Sequence, residues 1–247
     1  MHTIHKLVVP VSIIVAGALI AGAIYLTNSK PANVGAKVGV ADIAKNAQGA
    51  PEVEIAPVTE VDHIQGDASK AKVTIVEYSD TECPFCKRHH QTLSKIFSEY
   101  GKAGKIAWVY RHFPLDFHTK APKEAEATEC ANELGGAKAF WDYIGTVYEN
   151  TPSNDGLDLA KLPEFAEQVG LDKAAFVKCL DSGKYKAKIT EAKNAGLKAG
   201  ARGTPYTVLL VKDGSKVQTV PLVNDQGSSL GALPYESMKA VLDSFLK

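Results

Sequence analysis

Cys83-Pro84-Phe85-Cys86 stands between a β-branched run and a stretch of helical periodicity, and this placement restricts the fold more than any other feature of the chain. Lys72–Tyr78 (KVTIVEY) reads as a buried strand. Behind the cysteines, Leu93, Ile96, Phe97 and Tyr100 recur at helical spacing, which predicts a helix from about Pro84 to Tyr100 with Gly101 and Gly104 as stop signals. Pro84 is harmless at the first helical position, because an N–H there has no intrahelical acceptor. Unpaired N–H groups and the macrodipole favour an anion at this end, so Cys83 is placed to be a thiolate. Two intervening residues in the first turn let both sulfurs meet in a reducible disulfide. Cys83 would attack or be attacked, and Cys86, deeper in the helix, would resolve. A metal reading uses the same cysteines with His89 or His90, but a zinc site wants four ligands and no further thiol pair occurs at suitable spacing.

The remaining elements follow in a simple order. Lys105–Tyr110 (KIAWVY) is a second strand, closed by Phe113-Pro114. From His118 to about Ala199 the pattern is helical: Lys120–Leu134, Ala137–Glu149, Leu159–Val169, Lys173–Ser182 and Lys184–Ala199, punctuated by Gly135-Gly136, Pro152–Gly156, Gly170 and Gly183. Tyr206–Val211 and Lys216–Val220 are strands joined at Asp213-Gly214, a hairpin signal. An amphipathic helix, Tyr235–Phe245, closes the chain. The order β-α-β, helices, β-β-α specifies an α/β domain with a helical insertion.

The amino-terminal quarter is different. Leu7–Leu26 is a run of 20 residues without a charge, and about 20 helical residues span a bilayer's hydrocarbon core. Lys6, with His2 and His5, marks residues 1–6 as a short cytoplasmic terminus. A cleaved signal peptide has a shorter apolar region and a small-residue cleavage site. The run therefore reads as one transmembrane anchor at 7–26, a secreted or periplasmic protein after cleavage being the alternative. Residues 27–58 contain no aromatic residue and are rich in Ala, Gly, Pro and Asn, too little to offset ordering entropy. They read as a tether with at most a short strand near Val58–Ile64, and the folded domain is expected over 59–247. With 28 basic and 28 acidic residues the chain lacks the surplus of a nucleic-acid binder. Its 45% hydrophobic and 23% charged content fits an ordinary globular core.

EYSDTECPFC (Glu77–Cys86), YRHFPL (Tyr110–Leu115) and GTPYT (Gly203–Thr207), in that order around a helical block, resemble the DsbA-like branch of the thioredoxin family over about residues 60–247. The resemblance implies a thioredoxin fold with an all-helical domain inserted at about 116–199. It implies thiol–disulfide exchange on folding exported proteins, with the disulfide itself in place of a cofactor and no metal. It also implies a membrane quinone-linked partner that reoxidises the pair, and a single-pass position in a bacterial cytoplasmic membrane with the domain outside the cytoplasm. Pro205, by itself a turn proline, becomes the cis-proline beside the active-site disulfide, and Thr204 a backbone partner for substrate peptides. A reductase or isomerase with the same pair is the alternative. Isomerases of this broad family usually carry a dimerisation domain, for which the tether is too poor in apolar residues.

Glu77 is a charge inside an otherwise buried run, six residues before Cys83. It reads either as a paired or edge carboxylate or, as acids in this family position imply, as a proton acceptor beneath the cysteines with a pKa raised by desolvation. The strongly oxidising family type has Pro-His between its cysteines. Phe85 cannot supply an imidazolium, so a milder oxidant is expected. Cys130 and Cys179 could be small buried hydrophobes or a shuttle pair, though neither lies in a CxxC. Some relatives carry a second, structural disulfide in the helical domain, which implies a Cys130–Cys179 bridge. Across a separation of 49 residues it would contribute about 4 kcal/mol in the chain-entropy account. His112 and His118 read as structural, and Trp108 and Trp141 as core.

Overall fold

The computed structural model describes residues 53–224 and 226–247. The uncharged run at 7–26 and most of the tether lie outside them. Among the described residues no helix is long and apolar enough to cross a membrane.

Five strands, β1 (His63–Gln65), β2 (Val73–Ser79), β3 (Ile106–His112), β4 (Tyr206–Asp213) and β5 (Lys216–Pro221), form one mixed sheet in the order β1-β3-β2-β4-β5. β2 runs parallel to β3 and antiparallel to β4, with Glu77 opposite Tyr110 on one side and Thr207 on the other. Central strands are buried on both faces, which is why KVTIVEY lacks polar alternation.

One face of the sheet carries Ile75, Glu77, Ser79, Trp108 and Tyr110 beneath α1 (Pro84–Ile96) and α2 (Ala121–Asn150). Cys86, His89, His90, Leu93 and Ile96 make the buried stripe of α1, and a π-helical turn, Phe97–Gly101, follows it. The other face carries Val76, Tyr78, Val109, Tyr206 and Val208, packed with Phe113, Ala199 and Ala201. Here Gly196 is required by close approach. A Cβ on it would stand 2.5 Å from the Phe113 ring.

Between β3 and β4 the chain forms α2, a 3-10 turn (Leu159–Lys161), α3 (Leu162–Gln168), α4 (Lys173–Ser182) and α5 (Lys186–Lys198); α6 (Tyr235–Phe245) closes the chain. The two helices expected on either side of Gly135-Gly136 run on as one element broken at Gly136, whose φ of 70° and ψ of −167° are not helical. The insertion has its own core, in which Ala127, Cys130, Tyr143, Val147, Leu162, Phe165, Phe176 and Cys179 are buried together. Cys130 and Cys179 are joined by a disulfide within it.

Two boundaries differ from the sequence reading. The first strand is shorter and later than the Val58–Ile64 region expected. The domain also begins earlier than 59, because residues 53–58 lie against it. Ile55 and Val58 pack on the sheet, and Arg111 donates to the carbonyls of Ala56 (3.0 Å) and Pro57 (3.1 Å) while pairing with Asp62 at 2.8 Å. A partner 49 or more residues away on β3 leaves no local sequence signal.

Candidate active site

The strand–helix junction presents Cys83 as the N-cap of α1, with φ −79° and ψ 121°, and Pro84 begins the helix as its sequence position requires. Cys83 and Cys86 are unbonded and both are buried. The Thr204–Pro205 peptide is cis, and the Thr204 carbonyl accepts from the Cys83 thiol at 3.5 Å. The structure thus brings Cys83, Cys86, Thr204 and Pro205, distant in sequence, to one point. Phe85 is different: it is 52% exposed, with the Arg88 guanidinium 4.8 Å above its ring.

The two thiols are electrostatically unequal. Cys83 is brought down to about 6, chiefly by the hydrogen bond from the Cys86 thiol. The Thr204 hydroxyl and the backbone N–H groups of Cys86 and Phe85 act in the same direction and burial opposes them. Cys86 is pushed well above the usual thiol range by burial first and by the Cys83 thiolate second. Its sulfur still accepts from the Asp80 N–H at 3.4 Å. One sulfur is therefore a ready nucleophile and leaving group, and the other holds its proton.

Glu77 is fully buried on the sheet face that α1 covers, and Ser79 neighbours both it and Cys86. Trp108 Nε1 donates to its Oε2 at 2.8 Å. Burial raises the Glu77 carboxyl to about 7, against the opposing pull of Ser79 and Trp108. Ser79 Oγ lies 3.0 Å from the Tyr148 hydroxyl, which in turn lies 3.1 Å from that of Tyr110. Trp108, Ser79, Tyr110 and Tyr148 were not singled out from the sequence as parts of a site. A Tyr opposite a buried acid, and a Trp two residues along the same strand, can be found only once the β2–β3 register is known.

The loop ahead of Cys83 is fixed by two buried acids that the sequence reading also passed over. Asp80 Oδ2 accepts from Leu115 N at 2.7 Å and meets His118 Nδ1 at 2.9 Å, while its Oδ1 accepts from Glu82 N at 2.7 Å. Glu82 accepts from Thr151 Oγ1 at 3.2 Å, Gly156 N at 3.3 Å and Leu157 N at 3.1 Å. The intervening residues Ser153, Asn154 and Asp155 all have positive φ, a strained run held by such contacts. Their signal was available: two acids flanking a CxxC, between a buried strand and a helix, need partners.

The alternative metal set of Cys83, Cys86 and His89 or His90 does not assemble. His89 and His90 are on the buried stripe of α1 with Cys86, but His89 Nε2 meets Thr207 Oγ1 at 3.0 Å. The His90 ring lies 5.1 Å from that of Trp108 and 4.7 Å from that of Tyr148. Among the described residues the His, Cys, Asp and Glu side chains that converge closely enough to hold an ion are His63, His112 and Glu129.

Comparison with known proteins gives the same fold. The crystal structure of Pseudomonas aeruginosa DsbA2 is 26% identical, with a TM-score of 0.58 over 76% of this chain and 96% of that one. Wolbachia pipientis alpha-DsbA1, 24% identical, has a TM-score of 0.62 over 76% of this chain and 92% of that one, a likeness of fold. Among curated proteins, the Na(+)/H(+) antiporter NhaA 3 of Salinispora tropica is 33% identical over 145 residues, which is 58% of this chain and 21% of that protein. The chain thus spans about a fifth of the length of such curated relatives. The family model described as Thioredoxin matches residues 58–243, and the chain belongs to the thioredoxin family, with a fold like that of DsbA structures.

Proposed function

We propose that the chain works outside the cytoplasm, introducing disulfides into exported polypeptides through Cys83 and Cys86. The observation that carries this reading is the inequality of the two thiols at the head of α1: a Cys83 brought down to about 6 beside a Cys86 held well above the thiol range. Stabilising the Cys83 thiolate stabilises the reduced pair, and so makes its disulfide an oxidant.

In the oxidising direction a substrate thiolate attacks Cys83 Sγ, the Cys83–Cys86 bond breaks, and the Cys86 thiolate leaves and takes up a proton. Glu77, with a carboxyl near 7 on the sheet face that α1 covers, is the group suited to give that proton and later recover it. A second substrate thiolate then attacks the substrate sulfur of the mixed disulfide and expels the Cys83 thiolate. The substrate has lost two electrons and the cysteine pair has gained them. Thr204 and Pro205 border Cys83, where a substrate chain would lie alongside. A membrane quinone-linked oxidant returns the pair to the disulfide, and the uncharged run at 7–26 keeps the domain at the membrane surface. Cys130–Cys179 is a structural bridge in the insertion, with no part in electron transfer.

A redox titration of the full chain against glutathione, with Cys83→Ser and Cys86→Ser as controls, tests the direction. A potential between about −120 and −180 mV supports the oxidase, whereas one near about −270 mV makes the chain a reductase. Loss of exchange in neither serine variant would remove the pair from the chemistry altogether.

A further inference from the structure

Away from the cysteine pair, the sheet register brings two imidazoles to one face. His63 in β1 is opposite Tyr110 of the antiparallel neighbour β3, so His112, two residues further along β3, projects on the same side as His63. Glu129, next to Cys130 in α2, meets both. Its Oε1 is 2.9 Å from His63 Nε2 and 3.3 Å from His112 Nε2. All three ligand atoms lie within 4.8 Å of one another. We propose that His63, His112 and Glu129 form a buried binding site for a late first-row divalent cation, of which Zn2+ is the fitting case.

The donor set decides the class of ion. Two imidazole nitrogens with one carboxylate oxygen suit zinc and its neighbours, whereas calcium and magnesium take oxygen ligands. A tetrahedral ion with bonds of about 2.0–2.2 Å keeps its ligand atoms roughly 3.3–3.5 Å apart. The two Nε2–Oε1 separations need to open by only a few tenths of an ångström. Supporting contacts are in place. Lys188 Nζ holds the other carboxylate oxygen, Oε2, at 2.6 Å, leaving Oε1 for the ion. The Phe140 ring is stacked flat on His63 at 3.6 Å and 5°, and the Tyr110 ring stands edge-on to His112 at 5.2 Å. Such outer contacts orient metal ligands. The Thr128 hydroxyl, 3.3 Å from His112 Nε2, is a neutral oxygen donor beside the site.

Neutral imidazoles in the Nε2–H tautomer would donate to Oε1 at the distances found. An ion takes the place of those hydrogens as each imidazole passes to its Nδ1–H tautomer, so the site loses no proton and no electron moves. With ligands from β1, β3 and α2 and only 6%, 3% and 1% exposure, the site is closed and its ion structural. It would tie the short edge strand to the first helix of the insertion.

The test uses the full chain with Cys83→Ser/Cys86→Ser, so that no free thiol competes, refolded with Zn2+ or Co2+ and freed of excess metal by gel filtration. One Zn2+ per chain is expected, and the Co2+ form should show visible tetrahedral bands without thiolate charge transfer. Glu129→Gln should weaken Zn2+ binding by roughly 100-fold; if that variant does not fold, His63→Gln on the edge strand serves. A chain that retains no metal overturns the site. So does Zn2+ bound by wild type but absent from the double-serine chain, or binding that both cluster variants leave unchanged.

Discussion

Trp108 Nε1 donates to Glu77 Oε2 at 2.8 Å across neighbouring strands, and this contact fixes a carboxyl in a site with no access to water. The donated N–H favours the carboxylate, but burial outweighs it, and folding therefore favours the protonated form.

The consequence is a stability that depends on pH in a defined direction. Glu77 moves from 4.5 to about 7 on folding, so the folded chain binds this proton more tightly than the unfolded one. Stability is fullest below pH 4.5, declines through the window from 4.5 to 7, and is level above it. Glu77→Gln, made in a Cys83→Ser/Cys86→Ser chain so that no thiol titrates, should match its parent at pH 4. At pH 8 it should exceed it by up to about 3 kcal/mol. Urea midpoints at the two pH values check this. An advantage that is the same at both would mean that the carboxyl does not titrate on folding. In the enzyme with its cysteines, the same substitution should slow the step that protonates Cys86 and leave Cys83 alkylation untouched.

Cys83 gives the opposite sign. Its folded value of about 6 is below the ordinary thiol value of 9.0, so the stability it adds to the reduced chain is present above pH 9 and lost as pH falls through 6. Iodoacetamide alkylation of the reduced chain should follow thiolate formation with a midpoint near 6, and at pH 5 should run about tenfold below its plateau. Cys86 should remain unmodified. Cys86→Ala removes the leading cause of the shift and should carry the midpoint upward. A midpoint near that of a free thiol in the wild-type chain would mean that the helix end and Cys86 do not stabilise the thiolate.

Much of this arrangement is legible in the sequence because it is local. The bounds of α4 and α6 were readable to the residue from apolar spacing and flanking stop signals. The position of the cysteines at the head of α1 follows from a strand run that ends just before them. What the sequence does not carry is anything that depends on register. Trp108 reads as core, and becomes the Glu77 donor only because Ile75 lies opposite it. His112 and His118 look alike beside FPLDF, yet one faces Glu129 and the other Asp80. The chain ahead of residue 59 looks like a tether because Ala, Gly and Pro bury little, while the backbone carbonyls that Arg111 bonds are common to every residue type.

The Cys130–Cys179 bond closes a loop with a sequence separation of 49 residues inside the helical core. Constraining that loop in the unfolded chain is worth about 4 kcal/mol. For a domain of this size, Cys130→Ala/Cys179→Ala should lower Tm by roughly 8–16 °C. Exchange through Cys83 at 25 °C should persist, since neither cysteine is in contact with that pair. Calorimetry alongside an insulin-reduction or peptide-oxidation assay separates the two effects. Loss of exchange in a chain that is still folded would make the second pair a redox relay.

Phe85 is the point at which the site departs from the strongly oxidising type, and its surroundings predict how far substitution can restore it. An imidazolium between the cysteines stabilises the Cys83 thiolate, and each tenfold gain in that stability raises the two-electron potential by about 30 mV. Phe85 is half exposed, so Phe85→His is sterically tolerable. The Arg88 guanidinium, however, stands 4.8 Å above the ring it replaces. A cation so placed attracts an aromatic face but opposes protonation of an imidazole. Phe85→His alone should therefore make the chain only slightly more oxidising, and Phe85→His/Arg88→Gln distinctly more. Arg88→Gln alone should leave the potential close to wild type, because Phe85 has no charge for it to oppose. Glutathione titration of the three variants gives the order directly. Equal potentials for Phe85→His with and without Arg88 would show that the guanidinium does not govern the charge at this position.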